Sequence, residues 1–337
     1  MRLIVVAGST ETAAIEGITA AGATPSLIAH TPAADAEVLI HGHPTHAPVL
    51  PVSPSGCPTP AVVTHAVTTM TDTPVTVVDA GMATPTGAPT VQLGDTPGAD
   101  IRTGAGVPGA AALFAAGQRF GRTLSEQTIV LGETIPGGTT TALAVRMALG
   151  VTAPTSSSLP RNPLRRKRRI CETALAAAGL TDPSARRDPV TVAARVGDPV
   201  LLALAGIAHG ALGTGTRVIL GGGTQLVTVI AMLRAMGVDD PLSLATTPYL
   251  LADVPRLPQA LEPLGAAVHS ADPRFDRAAA GPLAAYTTGV AKEGAGMGGA
   301  LWIAAEHGVL SSIAQTAAAV LDRMVAAHPP TPPGDHR

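Results

Sequence analysis

The sequence predicts an α/β protein: a mostly parallel sheet with helices on both faces, a Rossmann-like three-layer arrangement, with a small helical lobe built from the chain ends. Two observations carry this expectation. A short apolar run, a Gly/Thr-rich turn and a helical segment follow one another repeatedly along the chain, the signature of parallel strands joined by crossover helices. The composition also suits a large buried core, with 46% hydrophobic and only 14% charged residues. With 337 residues the chain is long enough for one large α/β domain or two lobes. The reading adopted is one domain over residues 1–327 followed by a Pro-rich, disordered tail over 328–337.

Taken in order, Leu3–Ala7 reads as the first core strand, and Gly8-Ser9-Thr10-Glu11 as a turn with capping residues. Glu37–Ile40 reads as a second strand running into the loop that holds His41, His43 and His46. Three close histidines raise a metal site, but no neighbouring acid or Cys completes a ligand set, and a Pro-rich loop is the preferred reading. Pro48–Pro60 is a Pro/Ser/Gly loop carrying Cys57, which has no basic neighbour to lower its pKa and is read as a bystander. Val75–Val78 is a third strand, ending at Asp79, a candidate ribose contact or a turn cap. Residues 82–100 read as one long loop. Gly104–Gly109 matches the letters G-x-G-x-x-G without a strand before it, so the match is read as chance. Helices are expected over Ala110–Phe120, Ala142–Leu149, Ile170–Ala178, Asp188–Arg195, Val200–Gly213, Leu226–Met236 and Ala300–His307. Further strands are expected over Thr128–Leu131, Arg217–Leu220, Ser243–Thr247 and Gly265–His269.

The stretch Leu131–Thr141, Leu-Gly-Glu-Thr-Ile-Pro-Gly-Gly-Thr-Thr-Thr, is the centre of the functional reading. Gly137 and Gly138 allow a ligand close to the backbone. Free N–H groups at a helix start, together with Thr139, Thr140 and Thr141, suit a phosphate. No Lys follows the glycines, so this is not a P-loop. Glu133 lies at the end of the strand, where α/β proteins place site residues. The alternative is a tight turn with Thr caps. A second joint of the same kind is Gly221-Gly222-Gly223-Thr224-Gln225. In a third, Glu293 precedes Gly294, Ala295 and Gly296 and is placed to act as a general base over a ligand at the helix start, or simply to favour that helix terminus. The only lysines are Lys167, within the basic run 165–169, and Lys292. His269, Ser270 and Asp272 are too close together to form a hydrolase triad.

Composition excludes several classes. A net charge of −2 gives no general basic footprint for nucleic acid, and 2% aromatics give no stacking platforms. Two cysteines build neither a disulfide framework nor a Cys-rich metal site, which fits a reduced, cytoplasmic protein. No segment reaches a membrane span and no signal peptide is evident.

These joints, in this order, resemble nicotinate-nucleotide:dimethylbenzimidazole phosphoribosyltransferase, above all its shorter archaeal-type branch. The resemblance lies in Ile18–Pro25, Val52–Pro60, Gly132–Ala142, Val196–Pro199 and Gly221–Gln225. The longer bacterial enzyme's pattern is similar at Gly132-Glu133, at Lys167 before Ala174-Leu175, at Ser270–Pro273 and at Glu293–Gly296. Ala295 stands where that enzyme has a hydroxyl residue, and Asp272 where it has Glu. The resemblance implies transfer of phosphoribose from nicotinate mononucleotide to dimethylbenzimidazole or a related base, with no cofactor and no metal. It implies Glu293 as catalytic base, Glu133 bracing the ribose or the incoming base, and Gly137–Thr141 with Lys167 holding phosphate. Gly222, Gly223, Ser270, Gly294 and Gly296 join the substrate site. It further implies a homodimer, with Val200–Gly213 or Leu226–Met236 as candidate contacts. The competing readings are a mononucleotide-binding protein without transfer activity, a transferase for another acceptor, and an NAD(P) oxidoreductase resting on Gly104–Gly109.

Overall fold

The computed structural model describes residues 1–21, 25–53, 56–182, 187–276 and 281–327; the expected tail at 328–337 lies outside the described residues. The chain opens with β1 (Arg2–Ala7), and α1 (Pro25–Ile28), α2 (Thr31–His41) and α3 (Ala61–Thr71) lead to β2 (Val75–Ala80) and β3 (Thr90–Gly94). Next come α4 (Ala110–Thr123), β4 (Thr128–Thr134), α5 (Gly138–Ala148), α6 (Leu164–Ala178), α7 (Pro189–Val196) and α8 (Pro199–Leu212). β5 (Arg217–Gly221), α9 (Thr224–Ala235), β6 (Leu242–Thr246), α10 (Pro248–Asp253), α11 (Leu257–Leu261) and β7 (Ala266–Ser270) follow, before α12 (Met297–Glu306) and α13 (Ile313–Ala327).

The seven strands form one sheet in the order β3-β2-β1-β4-β5-β6-β7, and every neighbouring pair is parallel. Successive strand residues point to opposite faces, and both faces are dry. Ile4 and Val6 of β1, Ile129 and Leu131 of β4, and Val218 and Leu220 of β5 pack into the core beneath α4–α9. Leu3, Val5, Val130 and Ile219 pack into the other core, with α2, α3, α12 and α13. This double burial is why the strands read as unbroken apolar runs. The chain winds outward from β1 to β3 and then returns to β4 beside β1. The strand ends near β1 and β4 are therefore the switch point at which open α/β sheets form a crevice.

The seating of α12 sets up that crevice. A Cβ on Gly132 of β4 would lie 2.5 Å from the Gly296 Cα, and one on Gly221 of β5 would lie 2.5 Å from the Gly299 Cα. Glycine at both positions lets the start of α12 rest directly on the two strands, which carries Glu293 over their C-terminal ends.

Three expectations need correction. Glu37–Ile40 is the C-terminal half of α2, not a strand. Pro32 opens that helix, Gly42 closes it in the left-handed region (φ 78°), and residues 32–39 are all buried. A helix buried on all sides shows no amphipathic period, so a short apolar run within it is ambiguous. The loop expected at 82–100 contains β3, a five-residue edge strand in which only Val91 and Leu93 pack on the core, an apolar signal too short to stand out. Third, of the candidate dimer contacts Val200–Gly213 and Leu226–Met236, nearly all residues up to Leu212 and Leu233 are buried in the chain's own core, so neither helix presents a broad apolar face.

Gly104 and Gly106 serve packing, and Gly109 caps α4 in the left-handed region (φ 68°). A Cβ on Gly104 would lie 2.8 Å from the Ala177 carbonyl carbon, and one on Gly106 would lie 2.8 Å from the Gly197 carbonyl oxygen.

Candidate functional site

A cavity of about 170 Å³ opens at the C-terminal ends of the strands. Its floor is the β4–α5 joint, with Glu133, Thr134, Ile135, Gly137, Gly138 and Thr139. Gly223 and Gln225 from the β5–α9 joint and Lys292–Ala295 from the loop before α12 form one side. The loops around Ala20, Pro51–Ser53 and Cys57–Pro60 form the other, and Ser156–Ser158 close the wall. Two helices of more than two turns, α5 and α9, thus begin at the cavity with their positive dipole ends, while the Gly138, Thr140 and Leu226 N–H groups are tied to the Ile135, Gly137 and Gly223 carbonyls. Gly137 holds φ 80° as the N-cap of α5, a conformation that asks for glycine.

Glu293 is the most exposed to chemistry of the acids gathered here. Its Oε1 accepts the Gly298 N–H at 2.8 Å, so the residue caps the helix it precedes, while Oε2 is buried with no partner. Burial, with the nearby charge of Glu133, pushes its carboxyl up to about 8. The loop that carries it is pinned and strained. Ala291 (φ 44°) and Ala295 (φ 46°) both sit in the left-handed region, each at a cost of roughly 1–3 kcal/mol. The Ala291 N–H donates to the Ser158 carbonyl at 3.1 Å, and Thr247 Oγ1 donates to the Lys292 carbonyl at 2.6 Å.

Glu133, 3% exposed, is likewise pushed up to about 8, by burial first and by the charge of Asp198 second. Asp198 caps α8 through the Leu201 N–H and accepts the Thr141 hydroxyl, and burial raises it to about 6. Asp35 of α2 lines the cavity, accepts the Thr59 and Thr134 hydroxyls at 2.6 Å each, and is raised to about 6 by burial. Glu133 and Glu293 thus favour their protonated forms near neutral pH, while Asp35 and Asp198 are mostly ionised there; a cationic ligand would favour the ionised form of the two glutamates.

Three buried cations support the opposite wall, all holding the segment 154–159. Lys167 Nζ donates to Thr139 Oγ1 at 2.7 Å and to the Ser156 carbonyl at 3.0 Å. Burial, and then the neighbouring Lys292, bring its ammonium down to about 7. Lys292 Nζ donates to the Leu159 and Gly289 carbonyls at 3.0 and 2.7 Å and lies 3.8 Å from Asp253. Arg146, 1% exposed, reaches the Pro154 carbonyl and Thr155 Oγ1. The only two lysines of the chain therefore meet at one site.

Of the residues expected at the site, Glu133, Gly137, Gly138, Thr139, Gly223, Glu293 and Gly294 line the cavity, and Lys167 stands directly behind Thr139. Others lie elsewhere. Thr140 and Thr141 turn into the core, because a helix start directs consecutive side chains around its axis; Thr141 serves Asp198 there. Gly222 and Gly296 are buried behind the wall, Gly222 donating its N–H to the Ala245 carbonyl at 2.9 Å. Ser270 is exposed at the end of edge strand β7. Asp79 accepts the Gly81 and Met82 N–H groups at 2.8 Å each, the turn-cap alternative. Cys57 lines the cavity with its thiol pushed up to about 12 by burial, far from a reactive thiolate. His41, His43 and His46 bond to Gly87 O, Pro44 O and Thr45 Oγ1, and no cluster suited to a metal occurs among the described residues.

Sequence reasoning missed Asp35, Arg146, Asp198, Gln225 and the pocket face of Lys292. One of them carried a signal: Arg146 is a lone charge inside the otherwise uncharged helix α5, which a stable fold tolerates only with dedicated partners. Among the described residues, no helix is long and apolar enough to cross a membrane.

No family model matches the chain. Among solved structures, nicotinate-nucleotide-dimethylbenzimidazole phosphoribosyltransferase from Thermus thermophilus superposes with a TM-score of 0.63 at 21% identity, over 94% of this chain and 82% of that one. At that identity the likeness shows a shared fold. Two relatives are far closer in sequence. The UPF0284 protein of Methanosarcina mazei is 38% identical over 310 residues, spanning 90% of this chain and 89% of that protein. The UPF0284 protein of Halobacterium salinarum is 51% identical over 324 residues, 94% of this chain and 96% of that protein. Matches of this depth along nearly the whole length mean that the chain belongs to the UPF0284 family.

Proposed function

We propose that this protein is a phosphoribosyltransferase that moves phosphoribose from nicotinate mononucleotide to dimethylbenzimidazole or a related azole, giving α-ribazole phosphate and nicotinate for the lower ligand of cobalamin. The observation that carries the reading is Glu293: a carboxyl with one oxygen tied to Gly298 and the other buried and unpartnered, beside two helix N-termini and a buried lysine. The fold shared with the Thermus thermophilus enzyme supports it.

The residues divide the work as follows. The start of α5, Thr139 and Lys167 receive the phosphate: N–H groups and a cation converge there. The pyridinium of nicotinate mononucleotide is a cation, and its approach favours the ionised form of Glu293 and Glu133. The azole nitrogen attacks C1′ from the face opposite the leaving group. The C1′–N bond to the pyridinium breaks, and its electron pair neutralises the ring nitrogen, which leaves as nicotinate. The proton on the other azole nitrogen passes to Glu293 Oε2. Inversion at C1′ follows from this geometry of attack, and the leaving group carries its own electrophilic activation. Positioning and one general base are the named effects, and the base contributes roughly 10²–10⁴-fold.

The test is to incubate the purified protein with nicotinate mononucleotide and dimethylbenzimidazole and analyse the mixture by mass spectrometry. The reading expects α-ribazole phosphate and free nicotinate in equal amounts. Mononucleotide binding with neither product, across a panel of azoles, adenine and phenols, would favour a binding protein instead.

A further inference from the structure

Gln225 lines the cavity from the first turn of α9, and the mechanism above gives it no task. Its position is set by two glycines. A Cβ on Gly138, the first residue of α5, would lie 3.3 Å from Gln225 Nε2. A Cβ on Gly223 would lie 3.3 Å from Gln225 Oε1 and 3.5 Å from both Cβ and Cγ of Glu293. The side-chain amide therefore occupies the space between the start of the phosphate cradle and the carboxyl that faces the reacting carbon. Among the described residues it makes no side-chain hydrogen bond, although an amide offers donors at one end and an acceptor at the other.

If phosphate sits at α5 and C1′ faces Glu293, what lies between them is the sugar ring. A cis-diol presents neighbouring hydroxyls, each able to donate and accept, and a planar amide meets such a pair with one N–H and one C=O. We propose that Gln225 reads the ribose: its amide pairs with the cis-diol of the donor mononucleotide and sets the preference for ribose over deoxyribose donors. This rests on the phosphoribosyl-donor reading above. It adds a specificity-determining residue in the space bounded by Gly138 and Gly223. A substituent on Gly223 would meet the amide first, whereas one on Gly138 would meet Ile135 Cγ2, at 2.7 Å, before it.

The experiment uses binding, so that it does not depend on turnover. Nicotinate mononucleotide and its 2′,3′-dideoxy analogue are titrated calorimetrically into the wild-type protein, Gln225→Met and Gln225→Asn. Methionine keeps the volume and removes the amide, and asparagine withdraws it by one methylene. Wild type is expected to bind the dideoxy analogue about tenfold or more weakly, the effect of leaving a polar amide unpaired. Gln225→Met is expected to bind the two alike, within about twofold, at the affinity wild type shows for the analogue. Gln225→Asn is expected to fall between them. A wild type that binds both ligands equally, or a Gln225→Met that keeps the full preference, overturns the assignment. A wild type that shows the preference yet forms no ribazole phosphate overturns the transfer reading and sustains the assignment. Failure to bind the mononucleotide at all overturns both.

Discussion

Replacing Glu293 by Gln separates a catalytic role from a structural one, because the two predict opposite signs. The amide oxygen keeps the acceptor for the Gly298 N–H, so the start of α12 stays capped. What is lost is the titrating oxygen. As a general base it is worth roughly 10²–10⁴-fold in kcat, and KM for the mononucleotide should move little, since the phosphate contacts are elsewhere. Stability should change the other way. Glu293 is raised from 4.5 in the unfolded chain to about 8 in the folded one, so between those values the folded state holds the extra proton. Stability therefore falls as pH rises through that window, and the full penalty is present above it. Gln removes the penalty, so the variant should outlast wild type at pH 9 in thermal unfolding and match it more closely at pH 5. In wild type, kcat/KM should climb with pH up to about 8, as the base ionises. A variant within tenfold of wild-type kcat would refute the base assignment. A lower melting temperature than wild type at pH 9 would refute the electrostatic account.

Other consequences are equally direct. Glu37, fully buried, accepts the Thr45, His46, Ala47 and Gly87 N–H groups. These outweigh its burial and hold its carboxyl below the usual range. Glu37→Gln should destabilise by about 3 kcal/mol, about 4 °C in Tm for a chain of this size, with the difference disappearing as acid protonates the native carboxylate. Gly221→Ala places a methyl 2.5 Å from the Gly299 Cα and should cost about 1–3 kcal/mol in denaturant unfolding while also lowering kcat, because the Glu293 loop is displaced. Lys167→Met should weaken mononucleotide binding by about 10- to 100-fold in a titration. With its ammonium brought down to about 7, Lys167 should take up a proton when inorganic phosphate binds at pH 8, seen as a binding enthalpy that varies with the buffer's ionisation enthalpy; no variation would contradict its place at the phosphate.

The parallel sheet was legible because its strands are buried on both faces and end in Gly/Thr turns, as at Thr128–Gly138 and Arg217–Gly223. The same rule failed at α2. There Ala36, Val38 and Leu39 are as apolar as a strand, and only the Gly42 cap distinguishes the segment. It failed at β3 because that edge strand is short: only Val91 and Leu93 pack on the core, too brief an alternation to stand out in a Gly/Pro/Thr-rich stretch. The β4–α5 turn and Glu293 were readable as local motifs. Asp35 and Asp198 were not, since their meaning lies in contacts with Thr134, Thr141 and Glu133, far away in sequence. By its own pattern Lys167 is one cation in a basic run, and only the family resemblance set it apart; the helix turns it inward while Arg165, Arg166, Arg168 and Arg169 face outward.

The central claim is in-line displacement at C1′ with Glu293 as base, and the anomeric configuration of the product tests it most directly. The β-anomer of nicotinate mononucleotide and dimethylbenzimidazole are turned over by wild type, and the ribosyl C1′ proton of the product is examined by NMR. The account predicts the α-configured ribazole phosphate only, formed one for one with nicotinate, its rate collapsing in Glu293→Gln. A β-configured product, or product formed as fast without the carboxylate, would contradict it.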